Sequence, residues 1–147
     1  MGPARPGEQT ERAAPRRADR TAGPGRSLRG GAAWRAGLMA EEAVLRAYAD
    51  RGCTILARRW RSPWGEVDLI LRDGATVVAV EVKCARQIAV ATRRLSRRQM
   101  DRVSAALAAF CQGEPAGSLT PQRHDLALVD GSGRVTVLEN AWGADWD

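Results

Sequence analysis

Lysine is nearly missing from this chain. Of 23 basic residues, Lys83 is the one lysine and every other is arginine. Arginine spreads a permanent charge over a planar fork, whereas lysine is a compact ammonium whose pKa can be tuned. A position that keeps lysine in so arginine-rich a chain is a candidate for chemistry. Cysteine is scarce: Cys53, Cys84 and Cys111 are odd in number and lack CxxC spacing, which argues against a disulfide framework or a zinc site. His124 is the single histidine. It precedes Asp125, but no serine or cysteine nucleophile motif accompanies the pair, so it reads as a packed or rim histidine. Cys84 reads as a small buried residue. No apolar run approaches a membrane span. The N-terminus has no apolar signal-peptide core, so a cytoplasmic location is expected.

What the 147 residues do hold is positive charge, net +6 with a pI near 10.5. Such a balance points to a polyanion, most often nucleic acid. Residues 1–33 are rich in Arg, Pro, Gly and Ala without period, and read as a disordered basic arm or a neutral extension. Residues 34–147 read as one domain. "AGLMAEEAVLRAYADRG" predicts a helix ending at Gly52. Its apolar stripe runs through Leu38, Leu45 and Tyr48 and includes Glu41, while Glu42 faces solvent and can pair with Arg46. "CTILARRW" reads as a strand and "RSPWG" as a turn. Val67–Arg72 and Thr76–Val82 form a hairpin about Asp73-Gly74. Residues 84–95 read as a loop. Ser96 and Gln99 make a capping box for a helix running to Cys111. A second hairpin, "RHDLALVD" and "RVTVLEN", closes the chain. This is a mixed α/β domain built on one sheet.

The hairpin raises a question, because acids interrupt both of its apolar runs. Asp68 lies on one strand and Glu81 on the next, with Lys83 on Glu81's face and Val82 opposite. Two carboxylates side by side repel unless a cation joins them. Oxygen ligands with room for water suit Mg²⁺ or Mn²⁺. Lys83 can then orient or deprotonate a water or stabilise developing phosphorane charge, with Glu41 approaching from the helix. The competing reading is a solvated Glu81–Lys83 pair and a strand-end Asp68.

Asp68 followed by Glu81-Val82-Lys83 resembles the D…(E)xK core of the PD-(D/E)xK nucleases. More closely, the chain resembles the YraN family of small predicted endonucleases through "AEEAVLRAYADRGCTIL", "RRWRSPWGEVDLILRDG", "VAVEVK", "RRQMDRV", "RHDLALV" and "LENAW". The resemblance implies a restriction-endonuclease-like fold and metal-dependent phosphodiester hydrolysis. It implies catalytic roles for Glu41, Asp68, Glu81 and Lys83, with metal held at Asp68, Glu81 and Val82. Glu66 matches the family's G-E-x-D stretch. The chain departs from the pattern at Ala40, where glycine is usual, at Arg59, where Asn is usual, and in the segment after Lys83.

Phosphate contacts are expected from Arg58, Arg59, Arg61, Arg93, Arg94, Arg97 and Arg98, and base stacking from Trp64. Trp60 and Trp64 each read equally as a stacking residue or one packed at the sheet's edge. No helix-turn-helix or zinc finger is present, so cleavage of DNA is expected to be structure-selective or non-specific, in repair or recombination. A homodimer would suit two-strand cleavage. Two other classes fit the same residues: a silent nucleic-acid-binding module of this fold, and a basic protein-interaction domain.

Overall fold

The computed structural model describes residues 27–142, with side chains from residue 35. Helix α1 spans Ser27–Asp50 and is followed by three antiparallel strands, β1 (Thr54–Ser62), β2 (Gly65–Asp73) and β3 (Thr76–Cys84). Helices α2 (Ile88–Arg94) and α3 (Arg97–Cys111) form the crossover to β4 (Gln122–Val129), which runs parallel to β3, and β5 (Val135–Leu138) closes the sheet antiparallel to β4. The sheet order is β1-β2-β3-β4-β5. A mixed five-stranded sheet with helices on both faces is the restriction-endonuclease-like α/β arrangement that the hairpin and its resemblance led us to expect.

The two central strands are buried on both sides, which explains their unbroken apolar sequence. Leu69, Leu71, Val78 and Val80 pack against Val44 and Tyr48 of α1. Ile70, Val77 and Ala79 pack against Val103 and Leu107 of α3. Each fully buried Leu, Ile or Val contributes about 1.5–3 kcal/mol, so a carboxylate in this layer stands out energetically.

Local signals fix the edges. Gly52, at φ +83°, follows the last turn of α1. Ser62 pairs with Gly65 across a two-residue turn at Pro63-Trp64. Asp73 pairs with Thr76, so the β2–β3 turn centres on Gly74-Ala75, with Gly74 at φ +58°.

Three expectations need correction. Residues 84–95 are not all loop, since Ile88–Arg94 is helical. Its Gln87 cap makes no side-chain hydrogen bond, and β-branched Ile88, Val90 and Thr92 weaken the helical signal. Helix α1 begins at Ser27 rather than near Trp34, so it takes in seven residues of the expected arm; residues 1–26 of that arm lie outside the described residues. Among the described residues, Glu42 and Arg46 form no ion pair.

Candidate metal centre

The β2–β3 ladder ends at Leu69↔Val80, one step before Asp68 and Glu81 would pair. The strands part at the two carboxylates. The Val82 N–H, released from the ladder, donates instead to Asp68 Oδ2 at 2.9 Å. In an extended strand the N–H and C=O of one residue point to the same side. The Val82 carbonyl therefore faces the gap that Asp68 occupies.

Glu81 is almost fully buried at 3 % exposure. Its Oε2 accepts a hydrogen bond from the Gln99 side chain at 3.0 Å, while its Oε1 is buried with no partner. Burial, and next the charge of Asp68, pushes its carboxyl up to about 8, against a pull down from Lys83. Burial also raises Asp68, opposed by the Val82 N–H and then by Lys83. Half-buried Lys83 is thus the cation that both carboxyls feel. A desolvated carboxylate pair with one orphaned oxygen lacks positive charge.

The donor set fits a divalent cation taking oxygen ligands from Asp68, Glu81 and the Val82 carbonyl. Among the described residues no group of three His, Cys, Asp or Glu side chains is placed to hold a metal. Backbone, water or phosphate oxygens would have to complete such a shell. Glu41 stays outside it. It is buried, as its place in the α1 stripe requires, and it accepts from Arg58 Nε at 3.0 Å and Arg59 Nε at 3.3 Å. Arg59 sits at φ +48°, a conformation that suits asparagine better than arginine. Glu41, Arg59, Glu66, Asp68 and Val82 line one cavity of about 280 Å³. Glu66 pairs with Arg61 at 3.2 Å and adds to the upward pressure on Asp68.

The expected phosphate-binding arginines are mostly engaged within the protein. Arg58, Arg59 and Arg61 hold acids of the cavity. Arg93 and Arg94 donate to the carbonyls of Ala89 and Cys84, at the end of α2 rather than the start of α3. Arg97 pairs with Asp101 at 3.6 Å, and Arg98 is exposed. Trp64 is 51 % exposed at the hairpin tip. Trp60 packs edge-on against Phe110, with centroids 5.4 Å apart. Cys84 is exposed rather than buried, because it ends β3 beyond the helical cover.

Gln99 is the site residue the sequence did not reveal. Ser96 caps α3 as expected, accepting from the Gln99 N–H at 3.1 Å. The Gln99 side chain forgoes the return bond of a capping box and turns to Glu81. A second polar centre was also missed. Asp125 is fully buried and accepts from Tyr48 (2.8 Å), Arg123 (2.9 and 3.1 Å) and the Asn140 N–H (3.0 Å). Next to it His124 stacks on Trp142, with centroids 5.3 Å apart, and burial lowers its pKa. It packs as expected, away from the carboxylate pair.

Residues 40–129 match the model of "Uncharacterised protein family UPF0102". A UPF0102 protein of Cereibacter sphaeroides is 54 % identical over 110 residues, 75 % of this chain and 94 % of the relative. One from Ruegeria pomeroyi is 54 % identical over 108 residues, 74 % of this chain and 88 % of the relative. One from Dinoroseobacter shibae is 45 % identical over 115 residues, 78 % of this chain and 86 % of the relative. These names carry no activity; the family match covers the whole stretch from Glu41 through Asp68, Glu81 and Lys83 to Asp125. The chain belongs to the UPF0102 (YraN) family.

Proposed function

We propose that this protein is a Mg²⁺- or Mn²⁺-dependent endonuclease that hydrolyses phosphodiester bonds in DNA, structure-selectively or without sequence preference. One observation carries the reading: half-buried Asp68 and buried Glu81 meet where β2 and β3 part, with the Val82 carbonyl beside them, one Glu81 oxygen unpartnered and the chain's single lysine two residues on from Glu81. A purely structural role would leave that oxygen satisfied.

When bound, the metal supplies Lewis-acid stabilisation of charge on the phosphate and lowers the pKa of water. The protein does the rest. Asp68, Glu81 and the Val82 carbonyl would hold the ion. Lys83, as an ammonium, would orient the attacking water and steady the charge developing on the phosphate. Water adds across one P–O bond, its oxygen going to phosphorus and a proton to the leaving oxygen. Glu41, once released by Arg58 and Arg59, supports the water from α1, and the freed arginines turn to phosphate. One observation favours the alternative of a silent DNA-binding module: Glu41 is held by two arginines. No helix among the described residues is long and apolar enough to cross a membrane. A cytoplasmic role in DNA repair or recombination belongs to the same proposal. So does a homodimer, which would let two sites act on the two strands.

The test is isothermal titration with Mn²⁺, with and without DNA, on wild type and Asp68→Ala, followed by cleavage of single-stranded, duplex and branched DNA. Binding and cleavage in wild type, both lost in Asp68→Ala, support the enzyme. DNA binding without metal binding or cleavage would leave the silent module. Lys83→Arg should fail to cleave, and full activity there would overturn the argument from the single lysine.

A further inference from the structure

A second cavity, of about 570 Å³, opens between α1, the end of β3 and the β4–β5 loop. It lies outside the carboxyl ends of the parallel strands β3 and β4, a place where α/β sheets take ligands. It is within the size range of small-molecule sites, about 300–1,000 Å³. Its walls are mainly apolar, from Ala36, Met39, Ala43 and Val129. Met39 is 70 % exposed at the mouth. Ala40 and Cys84 line this cavity and the acidic one alike, so the two adjoin.

Arg46 and Arg86 also line it. Unlike Arg58, Arg59 and Arg61, neither makes an ion pair or side-chain hydrogen bond among the described residues. The arginines expected at phosphate are tied inward, whereas these two are free to meet an anion. Glu42 and Asp130 stand among the same walls. Asp130 Oδ1 is occupied by Ser132 and by the Arg134 N–H. The remaining carboxylate oxygens suit the exocyclic amino groups of bases.

We propose that this cavity binds one unpaired nucleotide of the DNA substrate. Its base lies against Met39, Ala43 and Val129, its phosphate meets Arg46 and Arg86, and the adjoining phosphodiester reaches the acidic cavity. Thioether sulfur makes favourable contacts with aromatic rings, so Met39 can serve where aromatic side chains serve elsewhere. A base stacked within a duplex cannot enter such a pocket without leaving the stack. The substrate class is therefore DNA carrying an unpaired nucleotide. This rests on the nuclease reading and narrows it.

The experiment reads binding rather than cleavage. The full chain, with Ca²⁺, is titrated into a single-stranded oligonucleotide carrying 2-aminopurine and into a blunt duplex of the same sequence, following anisotropy and base fluorescence. Wild type should bind the single strand at least tenfold tighter and change the 2-aminopurine emission. Ala43→Trp, which fills the cavity, should lose that preference and the emission change. Arg46→Gln with Arg86→Gln, both at exposed positions, should weaken single-strand binding about tenfold with the fold intact by circular dichroism. Unchanged single-strand binding in a folded Ala43→Trp would overturn the pocket while leaving the nuclease reading standing. No DNA binding by wild type would overturn both.

Discussion

The side-chain amide of Gln99, in the first turn of α3, donates to Glu81 Oε2 on β3 across 3.0 Å. It is the one hydrogen bond that this buried carboxylate receives from another side chain among the described residues, and it ties α3 to the proposed metal centre.

Gln99→Leu should therefore leave Glu81 Oε2 without its amide donor. An orphaned buried acceptor costs about 1–3 kcal/mol, and loss of a group orienting a metal ligand costs about 10–100-fold in affinity. Urea denaturation should show the first effect and Mn²⁺ titration the second. Gln99→Glu should also weaken metal-free protein, since it removes the amide donor and crowds a third acid against Glu81 and Asp68. A Gln99→Leu protein with wild-type stability and affinity would make the contact incidental.

The raised Glu81 carboxyl sets a pH dependence. Its ordinary value is 4.5 and its folded value about 8. Between those limits the folded protein holds a proton that the unfolded chain has released. The stability of metal-free protein should thus fall as pH rises from about 4.5 to 8, and be flat in this respect below that window. Glu81→Gln should remove most of the slope, read from urea midpoints across pH. At pH 7 Mn²⁺ must displace that proton. Titration in buffers of different ionisation enthalpy should show release of about one proton per ion.

Asp125 tests the difference between scaffold and site. It accepts from Tyr48, Arg123 and the Asn140 N–H without any exposure. Asp125→Ala should cost about 3–5 kcal/mol by leaving Arg123 partly uncompensated. Tyr48→Phe should cost about 1–2 kcal/mol. Tyr48→Phe should keep wild-type Mn²⁺ affinity, because its hydroxyl bonds away from the carboxylate pair. A fall in affinity would join the two centres.

Arg59 occupies left-handed backbone at φ +48°. In an ordinary strand position Gly is less stable than Ala. Here Arg59→Gly should exceed Arg59→Ala by about 1 kcal/mol, since only alanine keeps the left-handed penalty. Both lose the same half-exposed contact to Glu41. The reverse order in thermal melts would contradict this backbone conformation.

Much of the architecture was legible because local rules govern it. The continuous apolar runs announced buried strands, so Asp68 and Glu81 stood out within them. The lone lysine marked Lys83, and the 38-41-45-48 spacing placed Glu41 on the buried side of α1. Ser96 announced the start of α3. The blocks shared with the YraN family pointed to the fold. Helix α2 stayed hidden because a short uncapped helix with β-branched residues has almost no local signature.

What the sequence by itself determined was the inventory and its faces: which acids lie in apolar strands, and which cation is singular. Tertiary structure alone decided the partners. Gln99 fits a capping box by its spacing, and only the packing of α3 on β3 gives its amide a buried carboxylate instead. Arg58 and Arg59 look like phosphate ligands until α1 brings Glu41 against β1. Tyr48 and Asp125 are separated by 77 residues and meet only because α1 crosses the sheet. Periodicity tells which face of an element a side chain occupies, but hydrogen bonds and ion pairs form across a few ångströms between elements, at distances that chain order does not encode.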